Sequence, residues 1–167
     1  MDPSLLGQTV KNSLYHTQIP FVVVKKLYRR QDKTNNAFNF MVCVDGSEKG
    51  FKAFETCVTL SNCENDEIYA VTAPNLQGDQ NIETIKVKFQ ELEEKHKGKK
   101  INFMALEPSY DPGKSLIDFV NFNEKIDFDF VVLGNNGIRA QLEGKQFLGR
   151  MAENVLANIK ANPIIIP

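Results

Sequence analysis

Histidine is scarce in this chain of 167 residues, where only His16 and His96 occur, far apart. A His-rich metal site is therefore not expected, and a Ser/His/Asp triad has few members to draw on. Cysteine is nearly as sparse. Cys43, Cys57 and Cys63 are odd in number and show no C-x-x-C spacing, the pattern of free thiols in a reducing compartment. An excess of one charge is also missing, because 20 basic residues face 21 acidic ones for a net charge of −1. That balance offers no bulk field to nucleic acid or to an anionic membrane. The lysines that do cluster, Lys95, Lys97, Lys99 and Lys100, follow Glu91, Glu93 and Glu94 and read as a solvated helix end. No apolar run approaches the ~18–20 residues needed to span a bilayer. The opening "MDPSLLGQTVKNSLYH" lacks the basic start and apolar stretch of a secretory signal. The expectation is one domain of ordinary globular composition in the cytoplasm, with no nucleic-acid and no membrane partner.

A phosphate loop is half present. "PSYDPGKS" (108–115) places Gly113, Lys114 and Ser115 as in G-x-x-x-x-G-K-S/T, but Pro108 stands where the first glycine belongs. A phosphate nest needs successive backbone N–H groups, and Pro108 and Pro112 each remove one. The same residues read better as a helix start, with Asp111 as N-cap and Pro112 in the first helical position. A helix N-terminus still attracts an anion that Lys114 can approach.

From about residue 38, short apolar runs alternate with amphipathic stretches. "FNFMVCV" (38–44), "EIYAVTA" (67–73), "INFMALE" (101–107) and "FDFVVLG" (128–134) are strand candidates, and "IIIP" after Pro163 is a fifth. Between them lie helical periodicities. Phe51, Phe54, Val58 and Leu60 form the first, and Ile82, Ile85, Phe89 and Leu92 the second. Leu116, Phe119 and Val120 form the third, and "GRMAENVLANIKA" is the last helix. Strand and helix alternating without a hairpin predict a doubly wound, five-stranded parallel α/β sheet with helices on both faces. Ligands of such folds settle beyond the carboxyl ends of the strands. This directs attention to Asp45-Gly46-Ser47, to the loops after Val71 and Leu106, and to the glycines from Gly134.

In "VVLGNNGIRAQLEGKQFLGRMAENVL" (131–156), Gly134 and Gly137 follow a buried strand and Gly149 opens a helix. Such glycines let backbone approach phosphates, although a glycine after a strand is also simply a turn. Together with "MVCVDGSEKGFKAFE" at the first strand, this arrangement resembles the universal stress protein family. That family opens with a strand ending V-D-G-S. It closes with a strand, a G-x-x-G loop, a helix beginning L-G-S and a proline before the last strand. The resemblance covers about residues 38–167 and is strongest at the two ends, while "YDPGKSLIDFV" is similar to the family's G-D-P-x-x-x-I turn and helix. It implies a Rossmann-like domain that often dimerises through its terminal strands and in some members binds ATP. On this resemblance Asp45, with Gly46 and Ser47, would meet the ribose or adenine, and the Val71 backbone would flank the adenine. Gly134, Gly137 and Gly149, followed by Arg150 and Met151, would surround the phosphates, with Mg accompanying them. ATP-binding members read G-x2-G-x9-G-S/T. Here eleven residues separate Gly137 from Gly149, and Arg150 stands where the Ser/Thr would donate. An arginine supplies charge-assisted bonds of its own, whereas a longer loop carrying Arg139, Glu143 and Lys145 is one route to losing the ligand.

The front of the chain repeats its end. "LLGQTVKNSLYHTQIPFVVVK" (5–25) and "FLGRMAENVLANIKANPIIIP" (147–167) both run Leu-Gly, a helix-like segment, proline and a β-branched strand, with a single-residue gap before the proline. Residues 1–25 therefore read as the end of a preceding copy, 26–37 as a linker and 38–167 as the domain. An unrelated N-terminal helix and strand is the alternative. Residues 21–27 are expected to pair with 164–167, in the same chain or in a neighbour.

Two functions follow. One is a nucleotide-binding regulatory protein, with slow ATP hydrolysis at most. The other is an interaction module that binds no nucleotide and acts through its dimer surface. An ATP-dependent enzyme of the pyrophosphatase-loop type would need S-G-G-x-D-S, which "VDGSEKG" does not supply.

Overall fold

Phe40, Met41, Val42 and Cys43 are all buried, and alternate side chains enter two separate cores. A strand with no solvent face belongs in a parallel sheet covered on both sides. The structure, a computed structural model, describes residues 10, 13, 18–27, 30–33, 36–62, 64–78, 81–135 and 148–167. Its strands are β1 (Phe21–Val22), β2 (Asn39–Cys43), β3 (Glu67–Thr72), β4 (Lys100–Ala105), β5 (Phe130–Gly134) and β6 (Asn162–Ile166). They form one sheet in the order β1-β6-β5-β2-β3-β4. β2 to β6 run parallel, as expected, and β1 is added antiparallel along the β6 edge. The chain moves outward from β2 to β4 and then returns to β5 and β6. The reversal between β2 and β5 is the switch point at which open α/β sheets hold ligands.

Helices α1 (Glu48–Leu60) and α2 (Ile82–Lys95) cover one face, where Phe54 and Phe89 meet edge-on at 5.2 Å beneath Val42, Ala70 and Val132. Helices α3 (Pro112–Phe122) and α4 (Arg150–Asn158) cover the other, packing Leu116, Val120, Val155 and Leu156 on Met41, Val71 and Val131. Phe54 and Val58 point inward as their periodicity requires, and Phe51 packs at the margin. Leu60 does not: it is 51% exposed, because two residues beyond Val58 is about 200° around the helix. The lysines after α2 are also not simply solvated. Lys99 donates to the carbonyls of Val58 and Ser61 at the end of α1, and Lys95 and His96 both meet Glu55 of α1 at 2.8 Å. His16 and Cys63 lie outside the described residues. Cys43 and Cys57 are free buried thiols, and burial, followed by the Asp45 carboxylate, pushes the Cys43 thiol up to about 12.

The front segment is fastened at the amino ends of the strands. β1 pairs Phe21 with Ile165 and Val22 with Ile164 in the same chain, and Val23 donates to the Pro163 carbonyl at 3.0 Å. Asn162 accepts from the amides of Lys25 and Lys26 and donates to the Lys26 carbonyl, while the Lys25 ammonium reaches the Leu156 and Ile159 carbonyls at the end of α4. The expected linker is strapped down where it is described. A 3-10 turn (Arg30–Asp32) presents Arg30 to both oxygens of Asp66, and Lys33 pairs with Asp129 and Asp127. Asp66 and Asp129 are buried, and they accept from the amides of Phe38 and Asn39 where β2 begins.

Burial alone would raise the Asp66 carboxyl. Bonds from Arg30, Phe38 and Asn62 outweigh it and hold the group below the usual carboxylate range. That stabilisation is complete above the unfolded carboxyl value of about 4 and is lost as pH falls through the lower folded value. Removing one partner of a buried pair costs ~3–5 kcal/mol, and less here because Arg30 is 34% exposed. Arg30→Met should therefore lower stability by about 2 kcal/mol at pH 7 in urea unfolding. The gap between parent and variant should shrink toward pH 3, and an equal gap at both pH values would contradict this account of Asp66.

Candidate functional site

At the carboxyl end of β2 the chain must reverse into α1, and Asp45-Gly46-Ser47 makes the turn. Gly46 has φ +86°, a conformation that favours glycine. Ser47 is the N-cap of α1. Its hydroxyl accepts from the Gly50 amide at 3.0 Å and donates to the Asp45 carboxylate, which also accepts from the Ser47 amide. The three residues expected at the sugar and base thus build the turn and cap, with Asp45 and Gly46 partly exposed and Ser47 buried.

Gly134 ends β5 beside that turn. A Cβ there would lie 2.8 Å from the Lys49 Cβ and 3.1 Å from its backbone, so the glycine is required by close packing of β5 against the first turn of α1. Asn135 follows, donating its amide to Ile166 and accepting from the Gly149 amide, both at 2.8 Å. This pair joins the end of β5 to the start of α4. Gly149 is the N-cap of α4 and brings no side-chain cap, so the first amides of this helix lack the partner that Ser47, Asn81 and Asp111 give the other three. Arg150 is exposed on the first turn. Met151 packs half-buried on the core beside Gly113, which leaves its backbone as the part directed to the helix end. Gly137, Arg139, Glu143 and Lys145 lie outside the described residues.

Val71 is fully buried, and its carbonyl accepts from Val44 at 2.9 Å within the sheet. Thr72 follows at 1% exposure, and its hydroxyl has no hydrogen-bond partner among the described residues. The side-chain oxygen of Asn135 is buried and equally without one. Sequence singles out neither residue, although a threonine closing the apolar end Ala70-Val71 of β3 is a readable signal. "PSYDPGKS" is the helix start expected. The Asp111 side chain accepts from the Lys114 amide at 2.9 Å, Pro112 begins α3, and Lys114 pairs with Asp118. That loop instead extends the sheet, with Ser109 bridging Asn75 and Leu76 donating to the Ser109 carbonyl.

The switch point thus gathers Asp45-Gly46-Ser47, Gly134-Asn135 and the glycine-capped N-terminus of α4. Gly134→Ala should cost about 2–3 kcal/mol in thermal or urea unfolding, with no ligand present, because the Lys49 backbone must give way. An unchanged stability would show that β5 and α1 are not held this close.

No protein-family model and no curated protein sequence matches the chain. Solved structures do. The universal stress protein UspA from Lactobacillus plantarum is 16% identical, with TM-score 0.63 over 78% of this chain and 97% of that one. A universal stress protein solved in complex with cAMP is 18% identical, with TM-score 0.56 over 78% and 96%. A universal stress protein from Archaeoglobus fulgidus is 17% identical, with TM-score 0.66 over 98% of this chain, which spans only 55% of that longer protein. No helix among the described residues is long and apolar enough to cross a membrane. The order of strands, the placement of helices on both faces and these likenesses give the chain the fold of the universal stress proteins.

Proposed function

We propose that this chain is a regulatory protein that binds ATP or a related adenine nucleotide at the carboxyl ends of its strands. The observation that carries the reading is the N-terminus of α4, which has no side-chain cap among the described residues and is fixed to the end of β5 through Gly149 and Asn135. Amides at a glycine N-cap and the positive end of the helix dipole suit a phosphate. Arg150 adds a charge on the same turn, in place of the hydroxyl that ATP-binding stress proteins carry. The unpartnered polar atoms of Thr72 and Asn135 lie at the same end of the sheet and suit a ligand rich in hydrogen-bonding groups. The neighbour solved with cAMP supports the adenine nucleotide class. ATP is the proposed ligand, with Mg on its phosphates. The free thiols Cys43 and Cys57 support a cytoplasmic setting.

A second reading, an interaction module without nucleotide, is favoured by how fully Asp45 and Ser47 serve the turn and how closely Gly134 serves packing. It draws on the domain organisation, in which residues 1–25 are the end of a preceding copy. The short stress proteins match 78% of the chain, about the share that residues 38–167 occupy, whereas the longer one matches 98% and so takes in the front segment. The outer edge of β6 is held by β1, so a dimer through two terminal strands requires β1 to give up its place.

Gly149→Asp separates the two readings. A carboxylate at an N-cap adds about 0.5–1 kcal/mol of stability and repels phosphate. The parent chain, with free ATP and Mg ~100-fold above the dissociation constant, should gain about 2.7 kcal/mol, a rise of roughly 5–10 °C in Tm. The variant should melt slightly higher without ligand and show no rise with it. A parent that does not respond to millimolar ATP favours the interaction module.

A further inference from the structure

Three lysines among the described residues are partly buried: Lys33, Lys49 and Lys99. Two of them are answered. Lys33 pairs with Asp129 and Asp127, and Lys99 donates to the Val58 and Ser61 carbonyls. The Lys49 ammonium has no hydrogen-bond or ion-pair partner among the described residues. Its place also runs against helix electrostatics. As the second residue of α1 it stands at the positive end of the helix dipole, where a cation is unfavourable. Glu48, about 100° away around the helix, is exposed and forms no ion pair with it. Lys114, on the first turn of α3, is by contrast paired with Asp118.

The fold carries this lysine to the switch point. Helix α1 starts where β2 ends, and side chains on a helix lean toward its N-terminus, so Lys49 leans toward the carboxyl edge of the sheet. Its Cβ lies against Gly134, 2.8 Å from where a Cβ on that glycine would stand. The next residue, Asn135, serves the other face of the sheet. Its carbonyl accepts from the Gly149 amide at 2.8 Å, and Arg150 follows as the first residue of α4. Arg150 leans toward the same edge, exposed and without a partner among the described residues. Two unanswered cations, one on each face of the sheet, thus flank Gly134-Asn135. Two buried polar atoms lack partners at the same end, the Thr72 hydroxyl at 1% exposure and the Asn135 side-chain oxygen. The cations call for an anion, and the Asn135 oxygen calls for a donor such as a sugar hydroxyl.

We propose that Lys49 binds the phosphate chain of the nucleotide from the α1 side while Arg150 binds it from the α4 side. The pair makes the site selective for a nucleoside di- or triphosphate over a monophosphate, a cyclic phosphate or the nucleoside alone. The inference rests on the nucleotide reading above and adds to it a residue and a ligand class. A single phosphate at the start of α4 meets Arg150 and leaves Lys49 unanswered across the sheet edge. A longer chain laid over Gly134-Asn135 reaches both, and each further phosphate brings charge that a lysine ammonium can neutralise. In "VDGSEKG" this lysine reads as an ordinary surface charge, and only its contact with Gly134 marks it.

Titration calorimetry with Mg present compares ATP, ADP, AMP, cAMP and adenosine on the parent chain, on Lys49→Met and on Lys49→Arg. Methionine keeps an unbranched stem over Gly134 and removes the charge, and arginine restores the charge. The parent should bind ATP and ADP roughly tenfold or more tighter than AMP, cAMP and adenosine. Lys49→Met should lose about tenfold for ATP, about 1.4 kcal/mol, with adenosine unchanged and unfolding stability equal or slightly higher. Lys49→Arg should recover ATP binding. In the unaltered chain, ATP at about ten times its dissociation constant should slow acylation of the Lys49 amine roughly tenfold. Lys97, exposed beyond the end of α2, should react as before. A parent that binds none of the five ligands overturns the nucleotide reading and the role of Lys49 together. ATP binding undiminished in Lys49→Met, or Lys49 acylation that bound ATP leaves unchanged, overturns the role of Lys49 alone. Equal losses for ATP and adenosine place the lysine away from the phosphates. A parent that binds AMP or cAMP as tightly as ATP lacks the selectivity, and either of these two results also overturns the proposal.

Discussion

A parallel sheet buried on both faces has only its two ends for polar chemistry, and that constraint organises this protein. Met41, Val42, Val131 and Val132 have no exposed surface at all, so the middles of β2 and β5 offer no side chain to solvent. Every backbone group in these strands is committed to the ladder, because an unpaired amide in such a core is expensive. What remains is the amino end, where strands begin, and the carboxyl end, where they turn into helices.

The two ends solve different problems. At the amino end, Asp66 and Asp129 each accept an amide from the start of β2, which satisfies the strand but buries two carboxylates. Isolated charges of this kind are not stable in a core, and the cations that answer them come from the segment ahead of β2. Arg30 and Lys33 therefore make that segment part of the fold. At the carboxyl end, Ser47, Asn81 and Asp111 close the N-termini of α1, α2 and α3 with their own side chains. Of these four helices only α4 begins without one, next to the point where strand order reverses. A helix start without a side-chain cap of its own, at a switch point, is where the proposed nucleotide would set its phosphates.

The fold was legible because its signals are local and redundant. The apolar runs at 38–44 and 128–134 have no alternation, which fixes them as doubly buried strands, and Asp111-Pro112 marks a helix start in two residues. Leu60 does not share the inward face because it stands two residues past Val58, about 200° around α1, so it points to solvent while Val58 on the same turn stays buried. The site was less legible. Gly134 reads the same in sequence whether it admits a phosphate or a neighbouring helix, and only the 2.8 Å approach to Lys49 distinguishes the two. Asp66 and Asp129 precede ordinary strands, and Arg30 and Lys33 sit in a stretch without periodicity. Their pairing depends on the sheet order, which brings residues 36 and 96 positions apart to the amino end of the sheet. No spacing in the chain announces it.

The most direct measurement of the central claim is an amide-resolved NMR titration of the chain with ATP and Mg. The account predicts saturable shifts at Asp45 to Ser47, at Thr72, at Asn135 and at Gly149 to Met151. The amides of Arg30, Lys33, Phe38 and Asn39, at the opposite end of the sheet, should stay in place. Shifts confined to that amino end, or none at millimolar ATP, would contradict the assignment of nucleotide binding to the open start of α4.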